Sequence, residues 1–175
     1  IYPQLKIHYA CKTNSNLEII KLLKNLGASI ETVSIGEVDL ALQAGFDPSE
    51  ILYTSGNISY EEQREVMGKN VLMNLDSLTQ IKRFGEIRPG GKISFRINQG
   101  IGAGFHKHTI TGGPDSKFGI DISQVTEVKE LAKQYDLKIV GIHQHIGSNI
   151  LDEDIFIKAI TKLLETAKDF PALEF

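Results

Sequence analysis

Short apolar segments alternate with longer amphipathic ones along the whole chain, and that alternation limits the fold more than any other feature. Runs rich in Ile, Val, Leu and aromatic residues stand at 5–9, 29–33, 51–53, 70–75, 92–97 and 138–143. Runs this short and this apolar are typical of parallel strands covered on both faces. Between them the pattern is helical. Ile19, Leu22, Leu23 and Leu26 fall at i, i+3, i+4 and i+7 and make one apolar stripe. Ser15 and Glu18 read as a capping box at its start, and Gly27 as its stop. Ser34 with Glu37, and Ser59 with Glu62, repeat the capping signal, and the helix after Ser34 stops at Gly45. Phe156, Ala159, Ile160, Leu163, Leu164 and Ala167 predict a last helix. Six βα units in a row imply an α/β fold with a parallel sheet, either part of a (β/α)8 barrel or a doubly wound sheet. Six units fall short of eight, so the barrel reading expects residues 1–175 to be one domain, incomplete at both ends.

The positions of the polar residues separate the two folds. Lys12 follows the first strand, residues 34–37 the second, Asn57 the third, Arg96 and a glycine-rich stretch the fifth, and residues 145–149 the sixth. A barrel gathers reactive groups from the C-terminal ends of several strands, whereas a doubly wound sheet concentrates them at one switch point. Five strands contribute here, which favours the barrel. The formal net charge of −3 offers no bulk basic field for nucleic acid or an anionic membrane. No apolar run approaches the roughly 20 residues of a membrane helix. With one cysteine, Cys11, there is no internal disulfide, as fits a reducing, cytoplasmic setting.

Three constellations could carry chemistry. Lys12 lies in Tyr9-Ala10-Cys11-Lys12-Thr13-Asn14. A lysine beside a buried strand can lose solvation and supply an amine for imine formation. On spacing alone, it reads more simply as a solvated loop lysine. The second constellation is Gly141-Ile142-His143-Gln144-His145-Ile146-Gly147-Ser148-Asn149. On a strand, His143 and His145 would share a side. The free N–H groups and hydroxyl of 147–149 suit a phosphate, and equally a strand end with a helix cap. The third runs from Phe95-Arg96-Ile97-Asn98 through Gly100, Gly102, Gly104 and Thr109-Ile110-Thr111-Gly112-Gly113 to Ser116-Lys117-Phe118-Gly119. Arg96 can bind a carboxylate or order a network. Phe105 interrupts the glycine spacing of a dinucleotide fingerprint. The pairs His106/His108 and His143/His145 raise the question of a metal, but the available carboxylates, Glu31 and Glu37, form no ligand-like pair, so no metal is expected.

Taken together, these segments resemble the alanine-racemase-like (β/α)8 family of pyridoxal-phosphate-dependent decarboxylases. The stretch from Tyr9 to Asn14 is similar to that family's Tyr-Ala-x-Lys-Ala-Asn signature, with Lys12 on the Schiff-base lysine. Val33-Ser34-Ile35-Gly36-Glu37 is similar to its Val-Ser-x-Gly-Glu segment. The stretch from Gly141 to Ser148 resembles its Gly-x-His-x-His-x-Gly-Ser segment. The resemblance implies pyridoxal phosphate as cofactor, Lys12 and His145 as catalytic residues, and Lys12, His145, Gly147, Ser148 and Arg96 as cofactor-binding residues. His145 would stack on the pyridine ring and Ser148 would bind the phosphate. The loop from Arg96 to Gly119 points to the branch acting on diaminopimelate rather than on ornithine or arginine. The implied partners are an amino-acid substrate and a second subunit of a homodimer. The family places its pyridine-nitrogen acid, a further phosphate loop and a β-domain beyond residue 175, so this stretch alone is expected to be inactive. Three positions depart from the pattern. Glu31 stands where the family has Asp, Cys11 replaces an aliphatic residue, and Tyr53-Thr54-Ser55-Gly56-Asn57 lacks a lysine soon after Asn57.

Overall fold

A computed structural model describes residues 5–103, 112–113 and 116–175. They fall into two units, one ending at Met73 and the other running from Asn74 to Phe175. In the first unit, β1 (His8–Ala10), β2 (Ser29–Thr32) and β3 (Ile51–Thr54) pair in parallel and in sequence order. Helices α1 (Leu17–Asn25), α2 (Ile35–Gln43) and α3 (Tyr60–Gly68) follow them in turn. Ile20, Ile30, Val38, Ala41, Ile51, Tyr53 and Val66 are all buried, so one apolar core joins helices to sheet within this unit.

Two expectations are corrected here. The first strand is shorter than 5–9, because Leu5 and Ile7 are exposed and only the Ile7 carbonyl reaches β2, accepting from Ser29 N–H at 2.9 Å. The cap of α1 is Asn16, not Ser15. The Asn16 side chain accepts from the N–H groups of Glu18 (3.0 Å) and Ile19 (3.4 Å), one residue nearer the first helical position. The apolar stripe of α1 exists, but Ile20 is the side chain that is buried, while Ile19, Leu22 and Leu26 face outward. The other caps form as expected. Ser34 accepts from Glu37 N–H, whose carboxylate returns to Val33 N–H at 2.8 Å, and Ser59 accepts from Glu62 N–H. Gly27 (φ +87°) and Gly45 (φ +92°) end their helices in the left-handed conformation.

The boundary between the units falls within β4 (Leu72–Leu75), whose last two residues pair in parallel with Ser94 and Phe95 of β5 (Lys92–Asn98). β7 (Lys138–His143) pairs with Lys92 to Arg96, with an irregularity between Ile93 and Ser94. A two-residue strand, β6 (Ile120–Asp121), which the sequence pattern was too short to signal, pairs with Ile97 and Asn98. Helices α4 (Leu78–Ile87), α5 (Val125–Gln134) and α6 (Glu153–Ala167) complete the unit. Residues 174 and 175 run beside β7. Glu174 and Phe175 N–H both point at the Val140 carbonyl (2.7 and 3.2 Å), and the Phe175 carbonyl accepts from Ile142 N–H (3.3 Å). The Phe175 ring lies where a side chain at Gly141 would stand, so the absence of one lets the segment approach β7.

Candidate functional site

Lys12 is exposed on a single 3-10 turn, Cys11–Thr13, directly after β1. The turn is braced by its own sequence. Tyr9 hydroxyl donates to the Asn14 carbonyl (2.9 Å), and Thr13 Oγ1 donates to the Ala10 carbonyl (2.8 Å) while lying 3.1 Å from the Tyr9 oxygen. Asn14 Oδ1 accepts from Asn16 N–H (3.0 Å), joining the turn to the cap of α1. Cys11 is fully buried beneath it. Burial pushes its thiol pKa up, and the nearby Glu37 carboxylate pushes the same way, so this sulfur is a packing group rather than a nucleophile. The signature is therefore a hydrogen-bonded device that holds one amine out from a strand end.

The second unit brings Arg96 and His145 together. His145 lies just past the end of β7 and is partly buried. Because the strand ends at His143, the expected sharing of one side by His143 and His145 has no regular strand beneath it. Arg96 Nη2 donates to the His145 carbonyl (3.3 Å). The same guanidinium stands 3.6 Å from Asp76 Oδ1 and lies over the Phe118 ring, 5.0 Å from its centre. Gly147 (φ +149°) and Asn149 (φ +56°) turn the chain through positive φ, with Ser148 exposed between them. His143 reaches back to β4. Its Nδ1 lies 3.2 Å from Asn74 Nδ2, and Asn74 Oδ1 accepts from the buried Ser94 hydroxyl (2.9 Å). This chain sets His143 Nδ1 as the acceptor.

The remainder of the third constellation closes around Arg96. Asn98 Oδ1 accepts from Gly100 and Gly113 N–H (3.1 and 3.2 Å), and its Nδ2 donates to the Gly113 carbonyl (2.8 Å), tying the two ends of the loop. A side chain on Gly112 would strike the Ile101 carbonyl and crowd Ile146 Cα. Gly104, His106, His108, Thr109 and Thr111 lie outside the described residues. Among the described residues no group of three or more His, Cys, Asp or Glu side chains could hold a metal. Three side chains that sequence reasoning did not single out, Asn74, Asp76 and Ser94, line this network. Asn74 and Ser94 sit in strand-forming runs as isolated buried polar residues, and that was the available signal, whereas Asp76 directly follows β4. Burial pushes the Asp76 carboxyl pKa above 3.8, and the Gly119 N–H and Arg96 oppose the shift.

Taken unit by unit, the donors suit parts of a phosphorylated aldehyde cofactor. A presented lysine amine suits a carbonyl carbon, a half-buried imidazole suits an aromatic ring, and a positive-φ turn with a serine hydroxyl suits a phosphate. The comparisons agree. The family model described as pyridoxal-dependent decarboxylase, pyridoxal binding domain, matches residues 1–173. A diaminopimelate decarboxylase of Methanothermobacter thermautotrophicus is 44% identical over 167 residues, covering 95% of this chain and 39% of the relative. One from Helicobacter pylori is 38% identical over 173 residues, covering 95% and 43%. The crystal structure of diaminopimelate decarboxylase from Helicobacter pylori complexed with L-lysine superposes with a TM-score of 0.87 at 36% identity, over 94% of this chain and 43% of that one. The chain thus spans about two fifths of the length of these relatives. The fold is the α/β barrel domain of such enzymes, present as six βα units, and the cofactor it serves is pyridoxal phosphate. The chain belongs to the pyridoxal-dependent decarboxylase family, as its pyridoxal-binding domain.

Proposed function

We propose that the protein to which this chain contributes its barrel converts meso-2,6-diaminopimelate to L-lysine and carbon dioxide, as a lyase of lysine biosynthesis. The observation that carries this reading is the set of curated relatives at 38–44% identity over 95% of the chain, each a diaminopimelate decarboxylase. A viral arginine decarboxylase shares the fold at 23% identity, which speaks to architecture alone.

In this reading Lys12 Nζ holds the cofactor covalently and exchanges with the substrate amine. Its exposure on a braced turn leaves it free to make and break that link. His145 covers one face of the cofactor ring, and Ser148 with the N–H groups around Gly147 anchors the phosphate. Arg96 serves the same site by holding the His145 backbone. When bound, pyridoxal phosphate would supply the electron sink for loss of the α-carboxylate as carbon dioxide and its replacement by a proton, which is the cofactor's own chemistry. The protein works in the cytoplasm as a homodimer, with its remaining substrate contacts supplied by a C-terminal β-domain. No described helix is long and apolar enough to cross a membrane.

The test uses the full-length protein with pyridoxal phosphate and meso-diaminopimelate, with L-lysine quantified. Lysine formation and a visible absorption band are expected, and Lys12→Ala abolishes both. A band that survives Lys12→Ala unchanged removes Lys12 from its role. A normal band with no lysine formed moves the substrate to another amino acid.

A further inference from the structure

Asp76 has no role in the chemistry above, yet it forms a buried pair with Arg96. Their side chains are only 7% and 10% exposed. A buried ion pair gives little net stability over a well-packed apolar pair, because desolvation offsets the attraction. Geometry is the better account of its presence. Asp76 stands at the end of β4. Its N–H donates to Gln80 Oε1 (2.7 Å), and its carboxylate accepts from the Gly119 N–H. Gly119 (φ +80°) lies so close to β5 that a side chain would stand 3.1 Å from Asn98 N and 3.3 Å from Arg96 Cγ. Phe118 beside it lies against the guanidinium. Phe118-Gly119 is therefore the outer wall of an arginine slot.

The far end of that guanidinium reaches the His145 carbonyl. The next carbonyl, that of Ile146, accepts from Ala103 N–H at 2.9 Å, and Gly112 packs without a side chain against the Ile146 backbone. The backbone at 145–146 is thus held from three directions, and its position sets where the imidazole lands. A guanidinium, with five donors in a rigid plane, meets a carboxylate on one side and a carbonyl on another in fixed geometry. We propose that Asp76 is a positioning residue for His145, acting through Arg96 as a clamp on the His145 carbonyl. This rests on the reading in which His145 faces the cofactor.

The experiment compares Asp76→Asn, Arg96→Gln and the double variant in the full-length protein. Three readouts are taken: hydrogen exchange of the peptide 142–150 without cofactor, visible circular dichroism of bound pyridoxal phosphate, and steady-state kinetics. Each single variant is expected to speed exchange in that peptide and to weaken the dichroism. kcat falls about a hundredfold, as for a misplaced catalytic group, with KM little changed. Asp76→Asn adds nothing in the Arg96→Gln background. Exchange and dichroism at unmutated values, or two effects that multiply independently, overturn the proposal. Should a single variant fail to fold, Asp76→Glu keeps the charge and is expected to shift the same readouts less; no shift overturns the proposal. A full-length protein that takes up no pyridoxal phosphate overturns the functional reading, and the exchange measurement still decides this one.

Discussion

Asp76 also gives a pH signature. Burial raises its carboxyl pKa above 3.8, so the folded chain holds the proton after the unfolded chain has released it. The stability this group contributes is full below 3.8 and is lost as pH rises through the raised folded value. Unfolding free energies of the unmutated chain minus those of Asp76→Asn should therefore fall as pH climbs from below 3.8 toward neutrality. Denaturant titrations at several pH values read this directly, and a flat or rising difference contradicts it. The residue types at Lys12, Arg96, His145 and Ser148 were legible in the sequence because each belongs to a patterned segment. Asp76 was not, since one carboxylate after an apolar run looks like an ordinary loop residue until Arg96 and Gly119 are seen around it.

Among the elements, the starts of α2 and α3 were legible because capping is local chemistry. Ser34 and Ser59 cap as their spacing to Glu37 and Glu62 suggests. At Ser59 the partner carboxylate is used elsewhere, since Glu62 accepts from the buried Tyr53 hydroxyl at 2.8 Å. Burial first, and then this carboxylate, push the tyrosine pKa up. The α1 start was misplaced by one residue because Ser15 and Asn16 are both good caps, and the backbone chose between them. Asn16→Ala should cost about 1 kcal/mol, whereas Ser15→Ala should leave stability within about 0.5 kcal/mol. Thermal or urea unfolding of the two variants checks the order. Helices α4 and α5 meet where Gly85 leaves room for the Tyr135 side chain, a contact that no periodicity in either helix announces.

For the molecule as a whole, the last helix is the telling feature. The stripe through Phe156, Ile160 and Leu164 forms as its spacing predicts, yet these side chains and Ile157 are about half exposed or more, and Ala159 is the one buried residue of α6. Contiguous apolar surface of this kind marks an interface. The 175-residue chain on its own should therefore self-associate and bind a hydrophobic dye. Ile160→Glu with Leu164→Glu should reduce both, as light scattering after gel filtration will show. A monodisperse monomer that ignores the dye counts against this reading.

By itself the sequence determined the alternation of strands and helices, the parallel sheet, the caps of α2 and α3 and the residue types at the strand ends. These follow from periodicity, from side-chain capping and from the chemistry each residue carries. It also determined the family, because several short segments of unusual composition occur in one order. Only the tertiary structure decided that Arg96 reaches the His145 carbonyl, that His143 meets Asn74, and which apolar stripes are covered. Those outcomes depend on which side chains distant segments place within a few ångströms of each other, and spacing along one chain does not encode that.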